Sequence, residues 1–158
     1  MKRLAVILLV MAPAVSSGSY AGQDEPASYF APAPSTVPLE YREAIHSAAE
    51  SAGVPVRILA GIAFAESSFR PAPVHPDPFD RGMFGLHETP AIRAERVARY
   101  GEYDPLVPGE AARVAAGILA DHRVRLGSWI HAVSAYRQGA RGLSEQGIDW
   151  EYVWRVMR

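Results

Sequence analysis

Glu66 is the residue of this chain best placed to do chemistry. It stands in Ala65-Glu66-Ser67-Ser68-Phe69, at the end of an apolar run that starts near Val54. That run, Val54-Pro55-Val56-Arg57-Ile58-Leu59-Ala60-Gly61-Ile62-Ala63-Phe64-Ala65, carries almost no charge and has Pro55 at a first-turn position, the pattern of a buried helix. Arg70-Pro71 stops it, because a proline biases the residue before it away from the α region. Glu66 therefore falls in the last turn. There the negative end of the helix dipole and the apolar neighbours both disfavour ionisation, so its pKa is expected to rise. A glutamic acid kept protonated near neutral pH is suited to act as general acid in glycosidic cleavage. On the solvent face of a helix end the same residue would be an ordinary surface acid, so its surroundings must decide.

Other groups offer less. Glycosidases of the common kind use two carboxylates roughly 5 Å or roughly 6.5–9.5 Å apart, and no second acid stands out beside Glu66. Asp77, Asp80 and Glu88 follow on the adjoining loop and read as turn and solvent residues. His75, Asp77, Asp80, His87 and Glu88 have the residue types of a metal site, but their spacing matches no ligand pattern and no metal is expected. His122 and His131 fall in helical stretches and read as structural or exposed. A Ser-His-Asp hydrolase is excluded because no Gly-x-Ser-x-Gly elbow occurs.

The elements that must position Glu66 are mostly helices. Leu39 to Ala52 has apolar residues at 41, 44, 45, 48 and 49, a helical face, with Gly53 as its terminating residue. The helix ending at Glu66 follows. Arg70 to Leu86 is too rich in proline for a helix and reads as a structured loop or a short twisted hairpin. Thr89-Pro90 supplies an N-cap and a first-position proline for a helix that ends near Tyr100-Gly101. Pro108-Gly109 opens another, with Ala111, Ala112, Ala115, Ile118 and Leu119 apolar and Gly127 beyond its end. Ser128 caps a helix over Trp129 to Arg137 closed by Gly139, and Asp149 starts a short one through Val153, Trp154 and Val156. The fold class is mainly α, with a small irregular or β element near residues 70–88.

The ends and composition set further bounds. Met1-Lys2-Arg3, the apolar Leu4 to Ala12 and a small-residue stretch ending Ser19-Tyr20-Ala21 form the pattern of a secretory signal cleaved after Ala21. Its apolar run is too short to serve as a membrane anchor, so the mature form is expected to have no stable span. Gly22 to Pro38, with Pro26, Pro32, Pro34 and Pro38, reads as an extended linker. Residues 39–158 then suit one small domain. With no cysteine the chain forms no disulfide or thiolate metal site. A net charge of −1, and the lack of a basic stripe with interleaved aromatics, argue against nucleic-acid binding.

Three ordered segments resemble the lytic transglycosylase family with the goose-type lysozyme-like fold, which cleaves peptidoglycan. The resemblance spans about Leu39 to Gly139. Glu66-Ser67-Ser68-Phe69-Arg70-Pro71 is similar to the family's Glu-Ser-x-Phe-x-Pro signature. Gly82-Met83-Phe84-Gly85-Leu86 stands where the family has Gly-Leu-Met-Gln-Ile or Gly-Leu-Phe-Gln-Leu. Ala135-Tyr136-Arg137-Gln138-Gly139 resembles Ala-Tyr-Asn-x-Gly, and Asp104-Pro105-Leu106-Val107-Pro108 with the Ala-rich helix after it resembles Asp-Pro-x-x-Asn and its helix. In this register Gly85 replaces a glutamine whose amide lies in the sugar groove of relatives, and Arg137 replaces an asparagine, placing a cation near the acid. A second register, aligning Gly85-Leu86-His87-Glu88 with Gly-Leu-Met-Gln, restores a polar group at Glu88 but lengthens the gap from Glu66. The shorter gap is preferred.

The resemblance implies an exported, cofactor-independent enzyme of the periplasm or cell envelope. Its substrate would be peptidoglycan glycan strands, and it would act as a monomer, with service to a wall-spanning machinery left open. Glu66 would be the single acid, first protonating the bridging oxygen between N-acetylmuramic acid and N-acetylglucosamine. It would then accept the proton of the muramoyl C6 hydroxyl, leaving a 1,6-anhydro end, with the 2-acetamido group assisting at the anomeric carbon. Tyr136 is the candidate orienter, its hydroxyl bonded to Glu66, although a packed core tyrosine would look the same. Ser67 is a candidate contact to acid or sugar, with capping of the helix end as the alternative. Gly82 and Gly85 would let sugar approach the backbone, or be simple turn glycines. Met83 and Phe84 would floor the groove, and Arg137 would contact substrate. A lysozyme-like hydrolase that uses water, and a catalytically weak glycan-binding scaffold, are the alternatives.

Overall fold

The computed structural model describes residues 37–158, so the expected signal segment and residues 22–36 of the proline-rich stretch lie outside the described residues. The described chain is mainly helical with one tiny sheet: α1 (Leu39–Ala52), α2 (Val56–Ser67), β1 (Asp80–Arg81), β2 (Leu86–His87), α3 (Pro90–Tyr100), α4 (Pro108–Leu126), α5 (Trp129–Gln146) and α6 (Trp150–Met157).

The punctuation that the sequence announces is where the helices end. Gly53 turns left-handed after α1, at φ 66, and Gly127 does so after α4, at φ 75. Thr89 and Ser128 accept the capping bonds of α3 and α5 from Ile92 N and Ile130 N. Gly139 interrupts α5, as its backbone leaves the helix at φ 74 and ψ 164. The expected stop is thus a break, and a second helical segment runs on to Gln146. The loop after α2 carries the short hairpin, β1 pairing antiparallel with β2 so that Asp80 faces His87 and Arg81 faces Leu86.

Packing gathers these pieces around one core. α4 packs against both α1 and α5, while α6 packs on α2 and α5. The alanines of α4 (Ala111, Ala112, Ala115 and Ala116) have no exposed surface, which is what lets the neighbouring helices approach closely. Ile45, Ile58, Leu59, Ile62, Met83, Phe84, Leu86, Leu119, Val133 and Val156 fill the interior, each no more than 1% exposed. At full burial each such side chain contributes about 1.5–3 kcal/mol of transfer free energy. Hairpin residues thus share the core with helices, which ties the loop after Glu66 to the rest of the molecule. α2 and α6 pack tightly at Gly61, where a Cβ would lie 2.0 Å from the carbonyl oxygen of Val156. Trp150 and Trp154 point outward instead, 52% and 67% exposed.

Candidate active site

Glu66 occupies the last turn of α2, as its sequence predicts, and the chain reverses at once behind it. Ser68 and Phe69 both take positive φ, 54° and 63°, a left-handed pair built without glycine. Such residues cost of order 1–3 kcal/mol each and persist where surrounding structure holds them. Here Ser68 N bonds the Phe64 carbonyl, Phe69 N reaches the Ala63 carbonyl, and the Phe69 ring is buried. The reversal brings the hairpin back across the end of α2.

Glu66 opens into a groove of about 880 Å³ that also includes His75, Asp80, Gly85, His87, Tyr136, Arg137 and Tyr152 in its lining. Its side chain is only 8% exposed. Burial pushes its carboxyl above the ordinary value of 4.5, opposed by the Tyr152 hydroxyl, Arg137 and His75, and reinforced by the charge of Asp80. The direction agrees with the sequence reading, and loss of water is the leading cause.

The hydroxyl bonded to Glu66 is that of Tyr152, not that of Tyr136. Tyr152 donates to Glu66 Oε1 at 2.5 Å from α6. Tyr136, though it lines the same groove, donates to the Phe84 carbonyl at 2.8 Å and so fastens the hairpin to α5. Burial and the nearby Glu66 charge raise the pKa of both phenols, that of Tyr152 also through its bond to Glu66, so each remains a donor. Tyr152 escaped the sequence reading because, with Val153 and Val156, it looks like one more apolar-face residue of a short helix. Its position is fixed by Ser134, whose hydroxyl accepts from Asp149 N at the start of α6 and from Gln138 Nε2.

The remaining expected contacts divide. Gly85 and Arg137 line the groove, whereas Ser67, Gly82, Met83 and Phe84 do not. Ser67 is 2% exposed and its hydroxyl donates to the Ala63 carbonyl, so it closes its own helix instead of meeting acid or sugar. Gly82 is needed because the Pro105 carbonyl oxygen would lie 1.8 Å from a Cβ there, so backbone and not sugar approaches it. Met83 and Phe84 are buried in the core, away from the groove surface where the sequence expected them to serve as a floor.

Gly85 has φ 57, and a Cβ on it would lie 2.7 Å from Glu66 Oε2. A Cβ there would press on the Glu66 carboxyl, and it is Gly85, not Glu88, that lines the groove beside the acid. Glu88 is not a solvent acid: its side chain is 8% exposed, pairs with Arg93 and Arg96 at 3.0 and 2.9 Å, and accepts the Tyr103 hydroxyl at 2.5 Å. Asp80 also differs from a surface turn residue. It is 16% exposed, faces the groove, and accepts from His87 Nδ1 at 2.8 Å. The polar atoms of Asp77, Asp80 and His87 all lie within 4.8 Å of one another, a convergence hidden in the sequence because the hairpin register creates it. His122, on α4, also lines the groove, and burial pulls its pKa down to about 4, leaving a neutral imidazole near neutral pH.

A shielded acid with a raised pKa and a phenol donor beside it, at the wall of a groove of about 880 Å³, can protonate a leaving oxygen in a bound glycan. Residues 43–148 match the family model described as the Transglycosylase SLT domain, and the chain belongs to that family. Its members are lytic transglycosylases of lysozyme-like fold that act on peptidoglycan, and that activity is the one the chain shares in general terms. A search among curated proteins finds no match. Among the described residues no helix is long and apolar enough to cross a membrane.

Proposed function

We propose that this protein is a lytic transglycosylase that cuts the β-1,4 bond between N-acetylmuramic acid and N-acetylglucosamine, with Glu66 as its only general acid and base. The observation that carries the reading is the shielded Glu66 carboxyl, raised in pKa and hydrogen-bonded to Tyr152 at the wall of the groove. Protonated Glu66 gives its proton to the bridging oxygen, and the N-acetylglucosamine leaves with a free 4-hydroxyl. The muramoyl C6 oxygen then bonds to C1 while the Glu66 carboxylate takes the C6 hydroxyl proton. A 1,6-anhydro ring forms, no water is consumed, and Glu66 returns to its starting state. The 2-acetamido group assists at C1. An internal nucleophile has a large proximity advantage over solvent. Tyr152 and Arg137 favour the carboxylate that must exist between the two proton transfers, while burial favours the acid needed at the start.

The same reading places the protein outside the cytoplasm, exported by the segment ending at Ala21, with residues 39–158 as a monomeric catalytic domain. One observation favours hydrolysis as a second reading: Asp80 puts another carboxylate in the groove, where it could hold a water. Mass spectrometry of peptidoglycan digested by the purified protein separates the two. Anhydro-muramoyl ends are expected, whereas reducing ends would establish hydrolysis. Glu66→Gln should abolish turnover with the fold intact, and full activity in that variant would remove Glu66 as the acid.

A further inference from the structure

We propose that Arg137 recognises the free lactyl carboxylate of a muramic acid beside the scissile bond, so that the groove selects glycan strands stripped of their stem peptides. The inference rests on the reading of Glu66 as the acid of a peptidoglycan-cleaving site.

Arg137 is the most loosely paired arginine of the groove. Arg96 donates to Glu88 and to the His87 carbonyl, and Arg155 pairs with Glu151. The guanidinium of Arg137 makes no hydrogen bond among the described residues. It lies over the Tyr152 ring, 5.8 Å from its centroid, and its Nη1 stays 3.9 Å from Glu66 Oε2, beyond hydrogen-bond reach. Its side chain is 51% exposed. When Glu66 is protonated, as the first proton transfer requires, Arg137 loses the charge of this partner. A planar fork of donors that makes no hydrogen bond among the described residues, at the wall of a substrate groove, is suited to a bidentate carboxylate.

The chemistry of the strand supplies one such group near the reacting bond. The sugars themselves are neutral. Each muramic acid carries a lactyl ether at C3, within a few bonds of the anomeric carbon that Glu66 serves. When a stem peptide is attached, the lactyl carboxyl is an amide and carries no charge. When the peptide is gone, it is a carboxylate. The carboxylates of an attached peptide lie residues further out, away from Arg137. Asp77 and Asp80, also in the lining, repel an anion, which leaves Arg137 as the attraction that a carboxylate in the groove would meet beside Glu66. The class of reaction that supplies this substrate is therefore amide hydrolysis at the lactyl group, in which water splits the bond into a free carboxylate and a peptide amine.

The test uses strands from one wall preparation, with and without prior amidase treatment, and compares kcat/KM for the wild-type protein and Arg137→Gln. The wild type should favour peptide-free strands by roughly tenfold or more, mainly through KM, since a hydrogen bond to a charged group is worth about that factor. Arg137→Gln should bring the ratio close to one, and Arg137→Lys should restore part of it. Any effect of Arg137 on the protonation of Glu66 acts on both strands alike and leaves the ratio unchanged. A wild-type ratio near one or below it, or equal losses on both strands in Arg137→Gln, would overturn the proposal. If neither strand is cleaved, the proposed activity fails instead. Calorimetric titration with a peptide-free oligosaccharide then decides: weaker binding by Arg137→Gln supports recognition, and equal binding overturns it.

Discussion

The Tyr152 hydroxyl donates to Glu66 Oε1 at 2.5 Å, joining α6 to the end of α2 across 86 positions of sequence. This bond lowers the pKa that burial has raised. Tyr152→Phe removes it, so the pKa of Glu66 rises further. A general acid is lost as pH climbs through its pKa, and the alkaline limb set by Glu66 should therefore move to higher pH in the variant. Turnover at the optimum should fall about tenfold or more as the carboxyl loses its anchor. A pH profile of kcat checks both effects, and an unmoved limb would show that the bond does not tune the acid.

Tyr136→Phe should behave differently, although both phenols line the groove. Its lost partner is the carbonyl of Phe84, a residue with no exposed surface. Leaving that acceptor bare costs about 1–3 kcal/mol. The midpoint of thermal unfolding should drop, while the pH limb set by Glu66 shifts less than in Tyr152→Phe. Measuring the two variants side by side separates the orienter of the acid from the fastener of the hairpin.

Glu66 also makes stability depend on pH. Its folded pKa lies above 4.5, so the folded chain holds this proton more tightly than the unfolded chain does. The contribution is fully present below about 4.5 and is lost as pH rises through the folded value. Glu66→Gln keeps a neutral acceptor for Tyr152 and removes the loss. The variant should melt higher than the wild type at neutral pH, with the gap closing on acidification below 4.5, as scanning calorimetry at several pH values will register.

Gly85→Ala tests how closely the hairpin fits the acid. The left-handed backbone at φ 57 costs a non-glycine residue roughly 1–2 kcal/mol. The added methyl also lies 2.7 Å from Glu66 Oε2, so the carboxyl must move. Displacements near 1 Å cost on the order of 100-fold in rate. A loss of that size in kcat, with the helical circular dichroism retained, is the expected outcome, and near-normal turnover would mean that Glu66 works from a different position.

What could be read in the sequence follows from how local each signal is. Helix ends at Gly53, Gly101 and Gly127, and starts at Thr89 and Ser128, depend on a few neighbouring residues, and each is found where it was expected. Glu66 was legible for the same reason, since an acid closing an apolar run needs no distant partner to be noticed. The choice between Tyr136 and Tyr152 was not local. It depends on the contact of Gly61 with Val156, which no spacing reveals. Glu88 looked like a loop acid because Arg93, Arg96 and Tyr103 reach it only after α3 and the loop beyond it have folded back. The tightness at position 85 is hidden on the same ground: only the three-dimensional approach of Glu66 reveals that a Cβ there would press on its carboxyl.

The seat of α6 against α2 at Gly61 has one more effect. Tyr152 rides on eight residues that are anchored at their start by Ser134 and along one side by Val153 and Val156. A short helix is the kind of unit that can detach and return while the rest of a domain stays folded. Each excursion would strip Glu66 of its donor and admit water to the carboxyl, resetting its proton affinity for as long as the helix is away. The acidity of the site would therefore follow the docking of one helix. A partner that grips the outward-facing Trp150 and Trp154 would have a direct lever on it.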